Sequence, residues 1–459
     1  MNEYSMNKRV SLHTLGCKLN YAETSTIGAR FRSEGYDVTD FGSPSDVIVI
    51  NSCTVTEHAD RECRQLVRRA LRANPDAFVI VTGCYAQLQP EEIASIDGVD
   101  LVLGSSEKFK TFELAGDFRK REVPRVIVGE IGCGDAFGAA YSGEGDARTR
   151  AFLKVQDGCD YTCSFCTIPL ARGGSRSQPI EDAYRQACDL VAAGFREIVI
   201  TGVNVGDFGK GRGENFAGLL GRLHDVDGLE RLKVSSIEPN LLTDEIIAMA
   251  AGSDRMLPHF HIPLQSGSDA ILARMRRRYR SELYRDRVER VRSAMPDAAI
   301  GVDVIVGFPG ESDADFQATH DFLHALPVAY FHVFTYSERE NTPAAEFAEP
   351  VPVEARRNRT RALRNLSEKK RAAFAEKHRG DVRPVLFEHG DVGGMIGGYT
   401  DNYIRVAVRS GSALQNRIVP VRIGEFLGEH AVATVEAMPA DLIDRKGMIP
   451  LPVLNILST

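Results

Sequence analysis

The sequence has no uninterrupted apolar run long enough to span a bilayer, although 43% of its 459 residues are hydrophobic. A membrane-spanning helix needs about 20 consecutive apolar residues, so no membrane segment is expected. The opening residues, MNEYSMNKRV, lack the apolar stretch of a secretory signal. We therefore expect a cytoplasmic protein whose cysteines stay reduced.

The cysteine pattern also does not indicate a disulfide framework. The chain has nine cysteines, an odd number, and several of them are clustered. In an intracellular protein this usage indicates metal binding or catalysis rather than disulfide pairing. Cys63, Cys133 and Cys188 lie apart from the clusters, and Cys63 and Cys188 fall in helical stretches, where we expect them to be packing residues.

An excess of positive charge is lacking too, since the formal net charge is −7. Total charge therefore does not indicate a nucleic-acid-binding protein. Basic residues are nevertheless grouped, in one cluster over residues 274–280 and in a longer one over residues 356–383. Local patches decide whether a protein can bind phosphates, although a charge run on a helix is usually just a solvated face.

The pattern of apolar runs predicts an α/β protein of several domains, since domains usually hold ~100–200 residues. β-Rich runs at 10–15, 47–51 and 78–82 alternate with helical stretches, which predicts a parallel sheet domain over 8–118. A Gly-rich and acid-rich stretch then predicts a linker over 119–148.

Alternation of strands and helices resumes over 149–378. Strands are predicted at 152–155, 197–201, 232–237, 258–262, 301–307 and 331–336, with helices such as 180–193 and 313–326 between them. Such βα units make either a doubly wound sheet or a barrel, complete or partial. A charged helix trails this domain, a small β-barrel follows over 379–445, and 446–459 is a C-terminal extension.

The strongest motif is the loop Cys159-Asp-Tyr-Thr-Cys163-Ser-Phe-Cys166, directly after a predicted strand. Iron–sulfur clusters are usually held by four thiolates. Three thiolates would leave one iron open to a small molecule, as in catalytic metal sites. The alternative is a zinc site completed by a distant histidine or cysteine.

A second set, Cys17, Cys53 and Cys84, follows the ends of three predicted parallel strands. Such strand ends share one edge of a sheet, the edge where ligands bind. For a single cysteine a buried structural thiol is the ordinary alternative. Three cysteines at equivalent positions favour a common site.

These motifs together resemble a known family. The C-x3-C-x2-C loop is similar to that of the radical S-adenosylmethionine (SAM) superfamily. The segments LGCKLN, NSCTVT and TGCYAQ around Cys17, Cys53 and Cys84, with the later motifs HIPLQSG and DVIVGFPGE, look like those of the methylthiotransferases. The resemblance implies a cluster-binding N-terminal domain, a partial (βα)6 radical SAM barrel, and a small OB-like RNA-binding TRAM barrel.

The resemblance also implies the cofactors and the partners. The cofactors would be SAM and two [4Fe-4S] clusters, one on Cys17, Cys53 and Cys84 and the other on Cys159, Cys163 and Cys166. No catalytic residue is implied beyond these ligands. The partners would be tRNA, bound through the anticodon loop at adenine 37, a sulfur donor, and an electron donor such as flavodoxin or ferredoxin.

Within the family, Lys18, Asn20, Tyr21 and Glu23 look most like the subfamily that acts on N6-threonylcarbamoyladenosine at tRNA position 37. C2 of that adenine would receive the methylthio group. The subfamilies that modify N6-isopentenyladenosine in tRNA, or an aspartate of a ribosomal protein, share the six cysteines and remain alternatives. A non-enzymatic alternative is an RNA-binding iron–sulfur electron carrier.

Further site residues are expected at strand ends and in the basic clusters. By resemblance, residues at the strand ends would contact the cofactor, although single glycines there usually serve tight turns. These are Thr201, Gly202, Asn204, Ser236, Glu238, Gln265 and Gly307. The residues expected to contact RNA are Arg276, Arg277, Arg278, Arg383 and Tyr403.

Overall fold

The chain divides into two compact units, Met1–Arg371 and Ala372–Thr459. The computed structural model describes residues 8–54, 57–132, 137–142, 149–391, 393–409 and 412–437. Cys133 and the C-terminal extension lie outside the described residues. Within the described part of the chain, no helix is both long enough and apolar enough to cross a membrane.

The first unit begins with a parallel sheet in the strand order β2-β1-β3-β4-β5-β6. Its elements are β1 (Arg9–Thr14), α1 (Lys18–Ser33), β2 (Asp37–Thr39), β3 (Val47–Ser52), α2 (Glu57–Ala73), β4 (Phe78–Gly83), α3 (Cys84–Leu88), α4 (Pro90–Ala94), β5 (Leu101–Leu103), α5 (Thr111–Ala115) and β6 (Arg125–Ile127). The predicted N-terminal parallel sheet is thus confirmed.

Both faces of this sheet are covered, because its central strands are apolar on both sides. In β3, Ile48 and Ile50 pack in one core with α2, whereas Val47 and Val49 pack in another with Ile27 of α1. Strands buried on two faces read as continuous apolar runs, which made β3 and β4 visible in the sequence. The predicted linker 119–148 is wrong in part, since Arg125–Ile127 forms the edge strand β6.

Six further parallel strands make the middle of the first unit, in two sheets ordered β7-β10-β11 and β12-β13-β14. The elements are β7 (Arg150–Lys154), β8 (Gln156–Asp157), α6 (Ile168–Arg172), β9 (Arg176–Ser177), α7 (Ile180–Ala192), β10 (Glu197–Thr201), α8 (Phe216–His224), β11 (Arg231–Val234), α9 (Asp244–Gly252), β12 (His259–His261), α10 (Asp269–Arg274), α11 (Ser281–Ala294), β13 (Ala299–Val306), α12 (Asp313–Ala325), β14 (Tyr330–Thr335) and α13 (Val353–Lys377). A parallel bridge between Ser236 and His261 joins the two sheets.

The two faces of these six strands differ in chemistry. One face carries alternate apolar residues, such as Leu153, Ile200 and Val304, which pack against the helices in one large core. The opposite face, called the inner face below, carries the alternate residues of the same strands, among them Lys154 and His261. This alternation follows from the two-residue repeat of a strand, and it collects polar side chains on the inner face.

The second unit contains a closed five-stranded barrel in the order β15-β16-β17-β19-β18. Its strands are β15 (Val382–Asp391), β16 (Ile396–Thr400), β17 (Arg405–Val408), β18 (Ile418–Phe426) and β19 (Ala431–Val435). The predicted small β-barrel is therefore present. Phe374 and Ala375, in the last turns of α13, pack into its core, so the unit begins before the predicted boundary at residue 379.

Candidate active site between two sets of cysteines

The loop of Cys159, Cys163 and Cys166 lies between β8 and α6, at the carboxyl end of β7. The backbone of this loop is held by a residue that follows α6, because the Cys159 amide donates to the Gly173 carbonyl oxygen at 3.0 Å. The sulfurs of Cys159 and Cys166 accept backbone amides at 3.4 and 3.5 Å, from Tyr161 and Ile168 respectively. Amides directed at sulfur stabilise a thiolate.

The third sulfur, that of Cys163, accepts a hydrogen bond from the Arg277 guanidinium at 3.1 Å. The same guanidinium forms an ion pair with Glu238, which follows β11. Only 4% of the Arg277 side chain is exposed. Arg277 therefore lies inside the site and is not available to RNA phosphates, which corrects its predicted role.

Cys17, Cys53 and Cys84 lie together at the carboxyl edge of the N-terminal sheet. They follow β1, β3 and β4, which are adjacent in the sheet. Cys17 is the N-cap residue of α1, at the positive end of the helix dipole. Although Cys17 has exposed surface, loss of water raises the pKa of its thiol, and Arg172 opposes that rise.

Gly16 is required for this convergence. Its φ is +92°, and a Cβ atom there would lie 2.6 Å from both Cβ and Sγ of Cys53. We expect Gly16→Ala to displace Cys53 and to lower the iron content by about half, because one of two four-iron clusters would be lost. Iron and sulfide assays after reconstitution measure the effect.

The matched control is Gly35→Ala. Gly35 has a similar φ of +85°, but a Cβ atom there would meet nothing within 4 Å. This variant shares the backbone strain without the collision and should keep its full iron content. Equal iron in both variants would show that Gly16 does not shape the site.

A buried network of charges joins the two cysteine loops. Glu23, on the helix that Cys17 caps, accepts from Lys108 at 2.7 Å, from Lys154 at 2.9 Å and from Arg172 at 3.0 Å. Asp157, just before Cys159, accepts from Lys154 at 2.6 Å and from Arg172 at 2.9 Å. None of these five side chains is more than 4% exposed. The network therefore ties α1 to the loop that begins at Cys159.

The cations of this network keep the Glu23 carboxylate ionised. Burial by itself raises the pKa of Glu23, but Arg172, Lys108 and Lys154 together hold it well below its usual value. Arg172 also donates to Asn20 Oδ1 at 2.5 Å, while Asn20 donates to the carbonyl oxygens of Leu15 and Ser52. The strand ends that carry Cys17 and Cys53 are thereby linked to α6, which follows Cys166.

A cavity opens beside Cys166. Its lining includes Cys166, Gln265, Asp303, Phe334 and Arg339. Arg339 donates to Thr54, the neighbour of Cys53, and pairs with Asp60 Oδ2 at 2.7 Å. Arg339 therefore connects the lining of this cavity to the segment that follows Cys53.

Sequence comparison identifies relatives of the whole chain. Residues 9–104 match the family described as "Uncharacterized protein family UPF0004", and residues 153–323 match the radical SAM superfamily. The threonylcarbamoyladenosine tRNA methylthiotransferase MtaB of Bacillus subtilis is 40% identical, covering 90% of this chain and 93% of the relative. MtaB of Aquifex aeolicus is 38% identical, covering 90% and 100%. The chain belongs to the radical SAM methylthiotransferase family.

Other relatives of this family carry a different name. The tRNA-2-methylthio-N(6)-dimethylallyladenosine synthase of Sphingopyxis alaskensis is 36% identical, covering 83% of this chain and 87% of the relative. Among solved structures, the radical SAM methyltransferase TsrM from Kitasatospora setae has a TM-score of 0.51 at 16% identity, covering 74% of this chain and 77% of that one. The TsrM match supports the radical SAM fold and nothing finer.

The cysteines of this methylthiotransferase fit the iron–sulfur chemistry of the family. None of the eight described cysteines forms a disulfide. Burial raises the pKa of Cys159 to about 11 and that of Cys166 to about 12, and a bound metal ion favours the thiolate form of such cysteines. Cys63, by contrast, packs in the core of the N-terminal sheet, and Cys188 packs against the middle core.

Two of the residues predicted to bind cofactor, Gly202 and Asn204, lie against Gln156 in β8. Gln156 accepts the Asn204 amide at 2.8 Å, and a Cβ atom at Gly202 would lie 2.9 Å from Gln156 Oε1. Asn204 Oδ1 is buried and has no hydrogen-bond partner in the described part of the chain. An unsatisfied acceptor beside the cluster loop suits a ligand that donates hydrogen bonds. Thr201 is buried on the strand itself.

The remaining residues predicted to bind cofactor lie in different surroundings, and only one of them lines the cavity. Gln265 lines the cavity in a left-handed conformation, with φ +68°. Ser236 contacts His261, and Glu238 is paired with Arg277. Gly307 is packed against Arg356, because a Cβ atom there would lie 2.4 Å from Arg356 Cγ. Position 307 is therefore a glycine because α13 packs closely against it.

The predicted RNA-binding residues also differ from one another. Arg276 is exposed, and Arg278 lies over the Tyr161 ring, 3.8 Å from its centroid. In the second unit, Arg383 pairs with Asp401 at 2.8 Å, and Tyr403 stacks on Tyr399 with ring centroids 4.7 Å apart. Within the longer basic cluster, Arg356 and Arg359 are buried in ion pairs with Glu338 and Glu311.

Sequence reasoning missed Gln156, Arg172 and Arg339 as site residues. Their partners lie far away in sequence, as in the pair of Arg339 with Asp60. The only available signal was position: Gln156 and Arg172 flank the cysteine loop on either side. A polar residue next to a cluster motif is a reasonable candidate for a supporting role.

Proposed function

We propose that this methylthiotransferase adds a methylthio group to C2 of N6-threonylcarbamoyladenosine at position 37 of tRNA, with SAM and two [4Fe-4S] clusters. The observation that carries the proposal is the match to MtaB relatives along 90% of the chain, at 40% and 38% identity. The buried charge network that joins the two sets of three cysteines supports it. Three ligands each would leave one iron of either cluster open, unlike the closed clusters of electron carriers.

When bound, the clusters and SAM supply a carbon-centred radical and a sulfur donor, which an aromatic C–H bond requires. The chain's own residues position these groups. The Cys159 loop and the unsatisfied Asn204 Oδ1 face the space that SAM would occupy, with Gln265 at its edge. We infer that the six parallel strands act as the partial barrel of the superfamily, open on the side of the N-terminal cysteines.

The five-stranded barrel of the second unit is proposed to act as the TRAM domain and to bind tRNA. Its stacked Tyr399 and Tyr403 suit contact with unstacked bases, and Arg383 beside them suits a phosphate. Asp401 compensates Arg383 in the absence of RNA. Single-stranded loops expose their bases to such contacts, which fits an adenine in an anticodon loop.

A second candidate substrate is N6-isopentenyladenosine in tRNA. The relative from Sphingopyxis alaskensis, named for that nucleoside, is 36% identical over 83% of this chain. The MtaB relatives from Bacillus subtilis and Aquifex aeolicus are more similar, at 40% and 38% identity, and cover more of the chain, so the threonylcarbamoyl nucleoside is preferred. An electron donor such as flavodoxin or ferredoxin and a sulfur source complete the proposed reaction, which would take place in the cytoplasm.

Nucleoside mass analysis of tRNA from cells with and without the gene tests the substrate. We expect the 2-methylthio form of N6-threonylcarbamoyladenosine to disappear when the gene is deleted. The tRNA should then carry N6-threonylcarbamoyladenosine without the methylthio group. Complementation with the wild-type gene should restore it, and the Cys163→Ala gene should not. Loss of the methylthio group from the isopentenyl nucleoside instead would favour the second candidate, and unchanged tRNA would refute both.

A further inference from the structure

Three side chains on adjacent strands form a compact group on the inner face. They are His261 at the end of β12, Asp303 within β13 and His332 within β14. Asp303 and His332 are direct partners across the sheet, and His261 is paired with Gly301 two residues before Asp303. Each side chain offers one ligand atom, and these three atoms lie within 4.8 Å of one another.

The spacing of the group suits one metal ion. Two ligand atoms, each about 2.1 Å from a tetrahedral zinc ion, are about 3.4 Å apart. His261 Nε2 lies 2.9 Å from Asp303 Oδ1, and the 4.8 Å limit includes His332. Small side-chain rotations therefore bring all three atoms to bonding distance.

The orientation of His261 supports the same arrangement. Its Nδ1 lies 2.6 Å from Ser236 Oγ. When the Nδ1–H group of His261 donates to this hydroxyl, Nε2 carries a lone pair that faces the Asp303 carboxylate. Nε2 and the carboxylate oxygen are then both acceptors, and a cation bound between them satisfies both. Metal-binding histidines usually have such a hydrogen bond on the second ring nitrogen, which fixes the tautomer.

The second imidazole lies close to the first. The ring centroids of His261 and His332 are 5.8 Å apart, and the two ring planes are inclined at 75°.

We propose that His261, Asp303 and His332 bind one divalent transition-metal ion, such as Zn²⁺ or Fe²⁺, separate from the two cysteine sites. Two imidazoles and one carboxylate with an open position are typical of catalytic zinc sites and of non-haem ferrous sites. Asp303 lines the cavity that contains Cys166, so the open position faces that cavity. Water or an oxygen atom of a bound substrate can complete the coordination there.

Metal analysis of the reconstituted enzyme tests the site. After incubation with Zn²⁺ and removal of excess by gel filtration, the wild type should retain one equivalent of zinc per chain in addition to its cluster iron. His332→Ala should retain none, with unchanged iron and sulfide. His324→Ala, which removes an exposed histidine at the end of α12, is the matched control and should bind zinc like the wild type.

Zinc K-edge X-ray absorption identifies the ligands, because it detects zinc independently of iron. The proposal requires nitrogen and oxygen ligands at about 2.0–2.2 Å and no sulfur at about 2.3 Å. Asp303→Asn, which keeps the side-chain shape, should weaken zinc binding as well. The proposal is overturned if the wild type binds no additional zinc, if His332→Ala keeps the zinc, or if the zinc ligands are sulfur.

Discussion

Cys17→Ala is expected to abolish transfer of the methylthio group while the enzyme still cleaves SAM. Cys17 belongs to the N-terminal set of cysteines, whereas the cluster proposed to cleave SAM would be held by Cys159, Cys163 and Cys166. The iron content should fall from about eight to about four atoms per chain. Liquid chromatography of 5′-deoxyadenosine and of the methylthio nucleoside measures the two activities in one reaction.

Two further variants serve as controls for the Cys17→Ala result. Cys63→Ala removes a cysteine of the same domain that packs in its core, and it should keep both activities and all of the iron. Cys163→Ala should lose both activities, because radical formation precedes transfer. If Cys17→Ala also lost SAM cleavage, the two sets of cysteines would not have separate roles.

Glu23→Gln is expected to destabilise the first unit by about 3–5 kcal/mol, the usual effect of removing one partner from a buried ion network. The substitution leaves Lys108, Lys154 and Arg172 with Asp157 as their nearest remaining carboxylate. Buried cations without enough counter-charge are costly. The midpoint of thermal unfolding of the reconstituted enzyme, followed by calorimetry, should fall accordingly.

The control is Glu34→Gln near the end of the same helix. Glu34 pairs with Arg30 at 2.7 Å, but its side chain is 39% exposed. Exposed pairs contribute about 0–1 kcal/mol, so this variant should unfold near the wild-type temperature. Equal midpoints for the two variants would contradict the structural role of the network.

Glu23 also shows what sequence reasoning can and cannot predict about this site. The segment from Cys17 to Glu23 was recognised as a family motif, yet the function of Glu23 was not evident from it. Its partners Lys108, Lys154 and Arg172 are separated from it by 85 to 149 residues. Only the folded chain brings these charges together, because a pairing at that separation depends on how α1 packs against β7 and α6.

Arg277 shows what the pattern of charges in the sequence does not predict. Its neighbours in sequence, Arg276 and Arg278, are exposed, and a run of arginines is usually a solvated surface. Arg276 has a left-handed backbone with φ +56°, and the side chain of the next residue turns inward to Cys163 and Glu238. A pattern of charges cannot distinguish the one inward arginine from its neighbours.

The sequence by itself determined the α/β class, the six cysteines and their position at strand ends, and the family. Apolar strands buried on two faces and closely spaced thiols are local patterns, and local patterns can be read along the chain. The tertiary structure alone decided that Arg339 connects the cavity beside Cys166 to the segment that follows Cys53, that a buried charge network joins the two cysteine loops, and that His261, Asp303 and His332 face one another. These features depend on strand register and helix packing between segments distant in sequence, so no local pattern encodes them.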